Sequence, residues 1–394
     1  MKLKTYLQNL IPSSFTDWLK VSIGIAFLVQ IFLSNQLWYS TARTYPFVPL
    51  IGQNSFFTTF LIQSICFILL IISNLGLIFF SKKRISTIFF LSILGLYFLQ
   101  DMVSLQAWSY QYFMMILVIF IGGFYKKSNS NTILALQLII SFTYIWSGIN
   151  KVNIIFPEVV FSWMMESYNL LKPLGEIIWL GYFVAAFEIL LGIGLLFRRF
   201  RSIFAWLSVL FHASIVALLV GLDWNQVVYP WNFAMIAFNF ILFYKKENEV
   251  ATAWNTFFKQ KTTSISLTII VLLFGIAPLF SFFGWYDDQL SLKMYSGTSS
   301  DCIIYFESTD LNCFEKVADS DVYYDELTQK MELSIDNWAL EELKTPGYAG
   351  FWYYKKLAKQ AFKCVEADKA GIQLTKVHSW DWEETKYRLS YDEL

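Results

Sequence analysis

Charge is what this 394-residue chain has least of. Only 15% of its residues are Asp, Glu, Lys or Arg, against about 25% in an ordinary soluble protein. That shortage excludes a soluble globule of this size, because too few charged groups exist to coat a chain that is 56% hydrophobic and 19% aromatic. With 8 prolines and 18 glycines it is not collagen-like or low-complexity, and with 4 cysteines it is not a disulfide scaffold. No CxxC or Cys/His pattern occurs and there are only 2 histidines, so neither a zinc site nor a redox dithiol is expected. No internal repeat is visible. The matched pair of Gly- or Pro-broken spans that many transporters use is missing too, which weakens a transport reading. Residues 1–17 lack a following small-x-small cleavage site and read as a short interfacial helix, not a signal peptide.

What is present in excess is long apolar runs. A membrane helix needs about 20 mostly apolar residues. Nine segments qualify: 18–38, 56–80, 85–105, 111–125, 132–150, 175–197, 202–221, 226–244 and 264–284. The fold class expected is an all-α polytopic membrane bundle of about nine helices, followed by a small α+β domain. The stretch 153–172 is too polar to span and reads as interfacial or re-entrant, with Trp163 and Tyr168 at headgroup depth.

Net charge is zero over the whole chain but not locally. Residues 1–289 carry 18 basic and 11 acidic residues, and residues 290–394 carry 12 and 19. The break near 290 is the expected domain boundary. Within the first part, one set of loops holds 15 Lys and Arg, from Lys2 to Lys261, while the opposite set holds only Arg43, Lys151 and Lys172. The positive-inside rule then puts the N-terminus in the cytoplasm and the tail outside, in a plasma or inner membrane. The basic residues follow topology, so nucleic-acid binding is not expected.

In the tail, LSLKMY (291–296) and CIIYF (302–306) read as strands, 350–367 as an amphipathic helix, and GIQLTKVHSW with TKYRLSY as a closing strand pair. An exported domain permits a disulfide. Cys302 and Cys313 are spaced to close a hairpin-like loop, the alternative being buried free thiols; Cys364 is the third cysteine of the tail.

Ionisable groups inside hydrocarbon are costly and so become site candidates. Lys151 ends the fifth span, where a snorkelling interfacial lysine is the plainer reading. Glu188 and His212 lie mid-span on consecutive helices joined by a tight basic turn. At ~1.5 Å per residue they share a depth and could pair, and both should face the bundle interior. Asp101 and Asp223 read as solvated helix ends. Trp231 and Asn232 open the eighth span, where Asn could bridge helices.

The runs YIWSGINK and FEILLG…LFHAS then resemble the HTTM domain, the membrane part shared with the vitamin K-dependent gamma-carboxylase family. Tyr144, Ser147, Gly148 and Lys151 carry the first motif and Phe211-His212 the second. Asn150 stands where that family has a second lysine. The resemblance implies that Lys151 is a catalytic base and that His212 holds a substrate oxygen. It implies a reduced quinone, a vitamin K-like quinol, as the lipid-soluble partner. Tyr144, Trp146, Gly148, Glu188, Trp231 and Asn232 would then line the substrate site.

Two functions compete. One is a carboxylase-like membrane enzyme acting on such a quinol. The other is a non-catalytic anchor or assembly protein, held in the lipid bilayer, whose exported tail binds an extracytoplasmic protein partner. Convergence of Lys151, Glu188 and His212 on one apolar pocket would favour the first, and their scattering over separate helix contacts the second.

Overall fold

The computed structural model describes residues 11–39, 43–124, 129–244, 265–314, 317, 322–326, 328–365, 370–377 and 384–394. The bundle begins with α1 (Phe15–Leu33), opened by a reciprocal cap. Ser14 Oγ accepts the Asp17 N–H at 3.2 Å, and the Asp17 carboxylate accepts the Ser14 N–H at 3.0 Å. Then follow α2 (Phe60–Phe79), α3 (Arg84–Gln100), α4 (Ala107–Gly122), α5 (Asn129–Asn150), α6 (Ile178–Leu196) and α7 (Arg201–Gly221). α8 (Tyr229–Asn239) starts on Pro230, a favoured first-turn position, and widens into π-type turns over Phe240–Tyr244. α9 (Ile265–Ile270) widens likewise, then tightens to a 3₁₀ turn over Ala277–Phe283 at Pro278, which has no N–H to donate.

Among the described residues, seven helices are long and apolar enough to cross a membrane, while α3 and α4 are apolar but shorter. The nine expected segments therefore correspond to seven full-length helices and two short ones. The third ends at Gln100 and not at 105, because Asp101 turns away to meet Arg43. Three basic residues close helix ends on one side of the bundle. Lys20 Nζ donates to Ser81 O at 2.7 Å, Arg201 Nε to Leu195 O at 3.1 Å, and Arg84 to Gly123 O.

α5 is the central helix, buried along most of its length, whereas α7 is the most exposed of the long ones. α5 and α6 cross closely because small residues face each other. A Cβ on Gly148 would lie 2.8 Å from Ala185 O, and one on Gly192 would lie 2.5 Å from Ser141 O. Around α1 to α4 the core is aromatic: Phe27, Trp38, Tyr97 and Trp108 pack at centroid distances of 5.2–6.0 Å.

The C-terminal region forms one antiparallel five-stranded sheet. Its strands are β1 (Asp301–Phe306), β2 (Val322–Asp325), β3 (Lys330–Ser334), β4 (Gly371–Val377) and β5 (Glu384–Ser390), in the order β2-β3-β1-β4-β5. Cys302, Ile304 and Phe306 alternate onto the buried face of the central strand. They share a core with Trp338 and Leu343 of α10 (Ile335–Leu343) and with Tyr353, Tyr354 and Leu357 of α11 (Phe351–Ala361).

The tail's expected helix and its closing strand pair are present as β4, β5 and α11. The expected strand at 291–296 is not. That segment is a run of turns, with Leu292 and Tyr295 at φ +63 and +54, bonded from Ser291 N to Asp287 O and from Ser296 N to Lys293 O. Its alternating apolar residues pack down onto the bundle instead of pairing with a neighbouring strand. Cys302 is a free, buried thiol, so the disulfide alternative does not hold for it. The side chains of Cys313 and Cys364 lie outside the described residues.

The sheet-bearing region rests on the loop between α1 and α2. Glu342 accepts from Thr44 N, Thr44 Oγ1 and Tyr45 N at 2.5–2.8 Å, and Tyr45 and Tyr353 share a hydroxyl contact at 3.2 Å. Asp101 is not the solvated helix end expected of it. It is buried and ion-paired with Arg43 at 2.6 Å. Asp223 does behave as expected: it is exposed and accepts from Gln226 at 3.0 Å.

Candidate functional site

α6 and α7 meet at the tight turn around Arg198–Phe200, and a cavity of about 620 Å³ lies between them and α5. Its walls are largely apolar, with Phe156, Phe161, Met165, Phe187, Phe211 and Met235 prominent. The segment 153–172 closes one end and does not span, as expected. Phe156–Phe161 makes wide π-type turns, and a single helical turn, Ser162–Met165, follows. Trp163 packs edge-on against Trp224 at 4.9 Å, and Tyr168 donates to Ala217 O at 2.9 Å. The 291–296 turns cover the same end with Met294 and Tyr295. Asn150 holds this cover by donating to Ser291 O at 2.8 Å, and Asn153 by donating to Ser296 O at 3.0 Å.

Two polar groups interrupt the apolar wall. The first is an ion pair. Lys151 Nζ lies 2.7 Å from Glu188 Oε2, 2.6 Å from Ser147 Oγ and 3.3 Å from Ser147 O. Helical spacing makes this possible: Ser147 and Lys151 are one turn apart on α5, and the close α5–α6 crossing brings Glu188 to them. Lys151 is thus buried and paired and does not snorkel to the surface. An ammonium has three protons to donate, and all three have acceptors here.

The second group is a hydrogen-bonded chain. Asn232 Nδ2 donates to Val228 O at 2.9 Å, which turns its Oδ1 toward His212 Nδ1 at 2.7 Å. Oδ1 can only accept, so Nδ1 carries the proton and Nε2 is left as an acceptor for the Tyr144 hydroxyl, 2.6 Å away. That hydroxyl in turn accepts from Asn239 Nδ2 at 2.7 Å.

Tyr144, Lys151, Glu188, His212, Trp231 and Asn232 therefore all line one cavity. Glu188 and His212 both face the interior, but they do not pair with each other: the first is taken by Lys151 and the second by Tyr144 and Asn232. Asn232 does bridge helices, from α8 to α7. Two expected lining residues lie elsewhere. Trp146 points away, donating to Gly275 O at 3.2 Å and packing on Ala107 and Leu292. Gly148 admits the neighbouring helix α6 and not a ligand ring. Trp231 anchors through its indole, which donates to Gln111 Oε1 at 2.7 Å. Asn239 escaped the sequence reading, although it lies seven residues after Asn232 and so on the same helix face. No group of three or more metal-ligating residues occurs among the described residues.

The family model that matches is described as methylamine utilisation protein MauE, a multi-pass membrane family, over residues 129–228. The match runs from α5 through α7 to the start of α8 and contains the helices that build most of the cavity. It overturns the HTTM and gamma-carboxylase resemblance, since the block holding the Tyr144–Lys151 and Phe211-His212 motifs is similar to a different family. The aromatic-to-lysine run and the Phe-His pair are short, and a bundle packed through small residues can hold them without shared ancestry. No curated protein and no solved structure matches the chain. With its apolar helices, the match makes this a multi-pass integral membrane protein, in contact with the lipid bilayer.

Proposed function

We propose that this chain is a non-catalytic membrane interaction protein. Its bundle serves as anchor, and it presents the sheet-bearing region to a protein partner on the extracytoplasmic side. The observation that carries this reading is that the nitrogens of both candidate bases in the cavity are already engaged. Lys151, the residue best suited by type to act as a base, spends all three donors on Glu188 and Ser147, and both nitrogens of His212 are engaged. A base must have a lone pair facing its substrate, and this arrangement leaves none on either residue.

Two features support the partner-binding half. The sheet's edge strands are β2 and β5, and they carry the exposed tyrosines Tyr323, Tyr324 and Tyr387, a residue type enriched in protein interfaces. The 15-to-3 partition of basic residues between the two sets of loops supports an exported tail. The matched family's description names methylamine utilisation and no reaction, which suits an accessory role.

A second reading, catalysis on a membrane-dissolved substrate, is favoured by one observation: Lys151, Glu188 and His212 converge on a single cavity. Complementation of a deletion strain separates the two. Lys151→Met/Glu188→Met, which removes both charges together, is expected to insert, fold and complement, while Tyr323→Asp/Tyr324→Asp is expected to fail. Loss of complementation by a stable, inserted double-Met variant, with full activity of the tyrosine variant, would sink the interaction reading.

A further inference from the structure

The cavity has a lateral opening. Phe183 on α6 and Leu210 on α7 belong to its lining, yet are 65% and 68% exposed. Residues so exposed on apolar helices face hydrocarbon, so the gap between them leads from lipid into the cavity. At its inner end sits the Lys151–Glu188 pair, and two hydrogen-bonding positions there are still free. Glu188 binds Lys151 through Oε2, while its Oε1 accepts from no described side chain. The Ser147 hydroxyl accepts from Lys151 and keeps its own proton to donate. Both groups contact one nitrogen, at 2.7 and 2.6 Å, so they are close enough for a single small head group to reach both.

That head group must both donate and accept, and it must be uncharged. A carboxylate would meet the free oxygen of Glu188, a protonated amine has no lone pair to accept from Ser147 and would set a second cation beside Lys151, and a plain alkane would leave both positions unmet. A hydroxyl satisfies all three conditions. We propose that the cavity takes up an uncharged long-chain lipid alcohol from the membrane through the Phe183–Leu210 gap. Its hydroxyl donates to Glu188 Oε1 and accepts from Ser147 Oγ, and its chain lies along Phe187, Phe211 and Met235. A volume of about 620 Å³ lies within the range of small-molecule sites. This goes beyond the interaction role, since it holds whether the bound alcohol is a structural ligand or a signal to the partner.

The test uses the full chain in phosphatidylcholine nanodiscs with a diazirine-bearing analogue of hexadecanol, followed by peptide mapping after photolysis. Label is expected on the segments around Phe187 and Phe211. Unlabelled hexadecanol should displace it at a mole fraction about tenfold lower than hexadecane, hexadecanoate or hexadecylamine, the worth of roughly two modest hydrogen bonds. Leu210→Trp blocks the gap from a lipid-facing position, so folding is unaffected and labelling should drop several-fold. Ser147→Ala should weaken displacement by the alcohol and leave that by the alkane unchanged. Label spread evenly over lipid-facing helices, equal displacement by all four competitors, preference for the acid or amine, or indifference to Leu210→Trp would each overturn the proposal. None of these readouts depends on complementation, so failure here and failure of the interaction reading are separable.

Discussion

Asp336 gives the sharpest quantitative test of the C-terminal region. It lies in the first turn of α10, where its Oδ1 accepts the Gly347 N–H at 3.1 Å. Burial, together with the nearby Asp301 carboxyl, pushes its pKa up from an ordinary 3.8 to about 7. A pKa raised in the fold means that the folded state binds the proton more tightly than the unfolded chain. The stabilisation is therefore fully present below about pH 4 and is lost as pH rises through about 7. At ~1.4 kcal/mol for each unit of separation, the ceiling on that loss is about 4 kcal/mol by pH 8. Asp336→Asn keeps an acceptor for Gly347 and removes the titration. Hydrogen–deuterium exchange of β1 and α10 peptides in the full-length protein, corrected for intrinsic rates, reads the local opening free energy at each pH. The native chain should lose protection between pH 5 and 8, and the Asn variant, in which the buried Asp301 still titrates above its ordinary range, should lose less and exceed the native one at pH 8. A flat native profile, or an Asn variant less protected than the native chain at pH 8, would refute the reasoning.

Gly192→Ala places a methyl 2.5 Å from Ser141 O, a backbone atom that cannot rotate aside; the α5–α6 crossing should widen and the protein lose about 1–3 kcal/mol, read as a lower melting temperature in detergent. A reporter fused after Leu394 should be active only on the extracytoplasmic side; cytoplasmic activity would contradict the exported tail.

The membrane class was legible from composition alone, because an apolar excess of this size has nowhere to go but lipid. The contents of the cavity were legible in part, since intramembrane charge is expensive and Lys151, Glu188 and His212 were therefore conspicuous. Their pairing was not. Equal depth suggested Glu188 with His212, but rotation about the helix axis decides partners, and Gly148 and Gly192 bring α5 close enough to α6 for Lys151 to claim the carboxylate. Depth is one coordinate of three. Trp146 shows the same limit from the other side: it is two residues from Tyr144 and five from Lys151 on one helix, yet points to Gly275. The Arg43–Asp101 pair joins residues separated by 58 positions, and nothing local to either announces the other. The turns at 291–296 deceived for a different reason. An alternating pattern marks a surface that is apolar on one side, and two left-handed residues let a non-strand present such a surface equally well.

The seating of Glu342 on Thr44 and Tyr45 has a temporal consequence. The chain emerges from its N-terminus, so the loop after the first helix is made long before its partner exists. Until α10 follows, nearly 300 residues later, the amides of Thr44 and Tyr45 have only water. The first loop of the protein is thus completed by one of the last elements to be synthesised. Any chain released early would carry an inserted bundle with a bare first loop, a distinguishable signature for the machinery that removes unfinished membrane proteins.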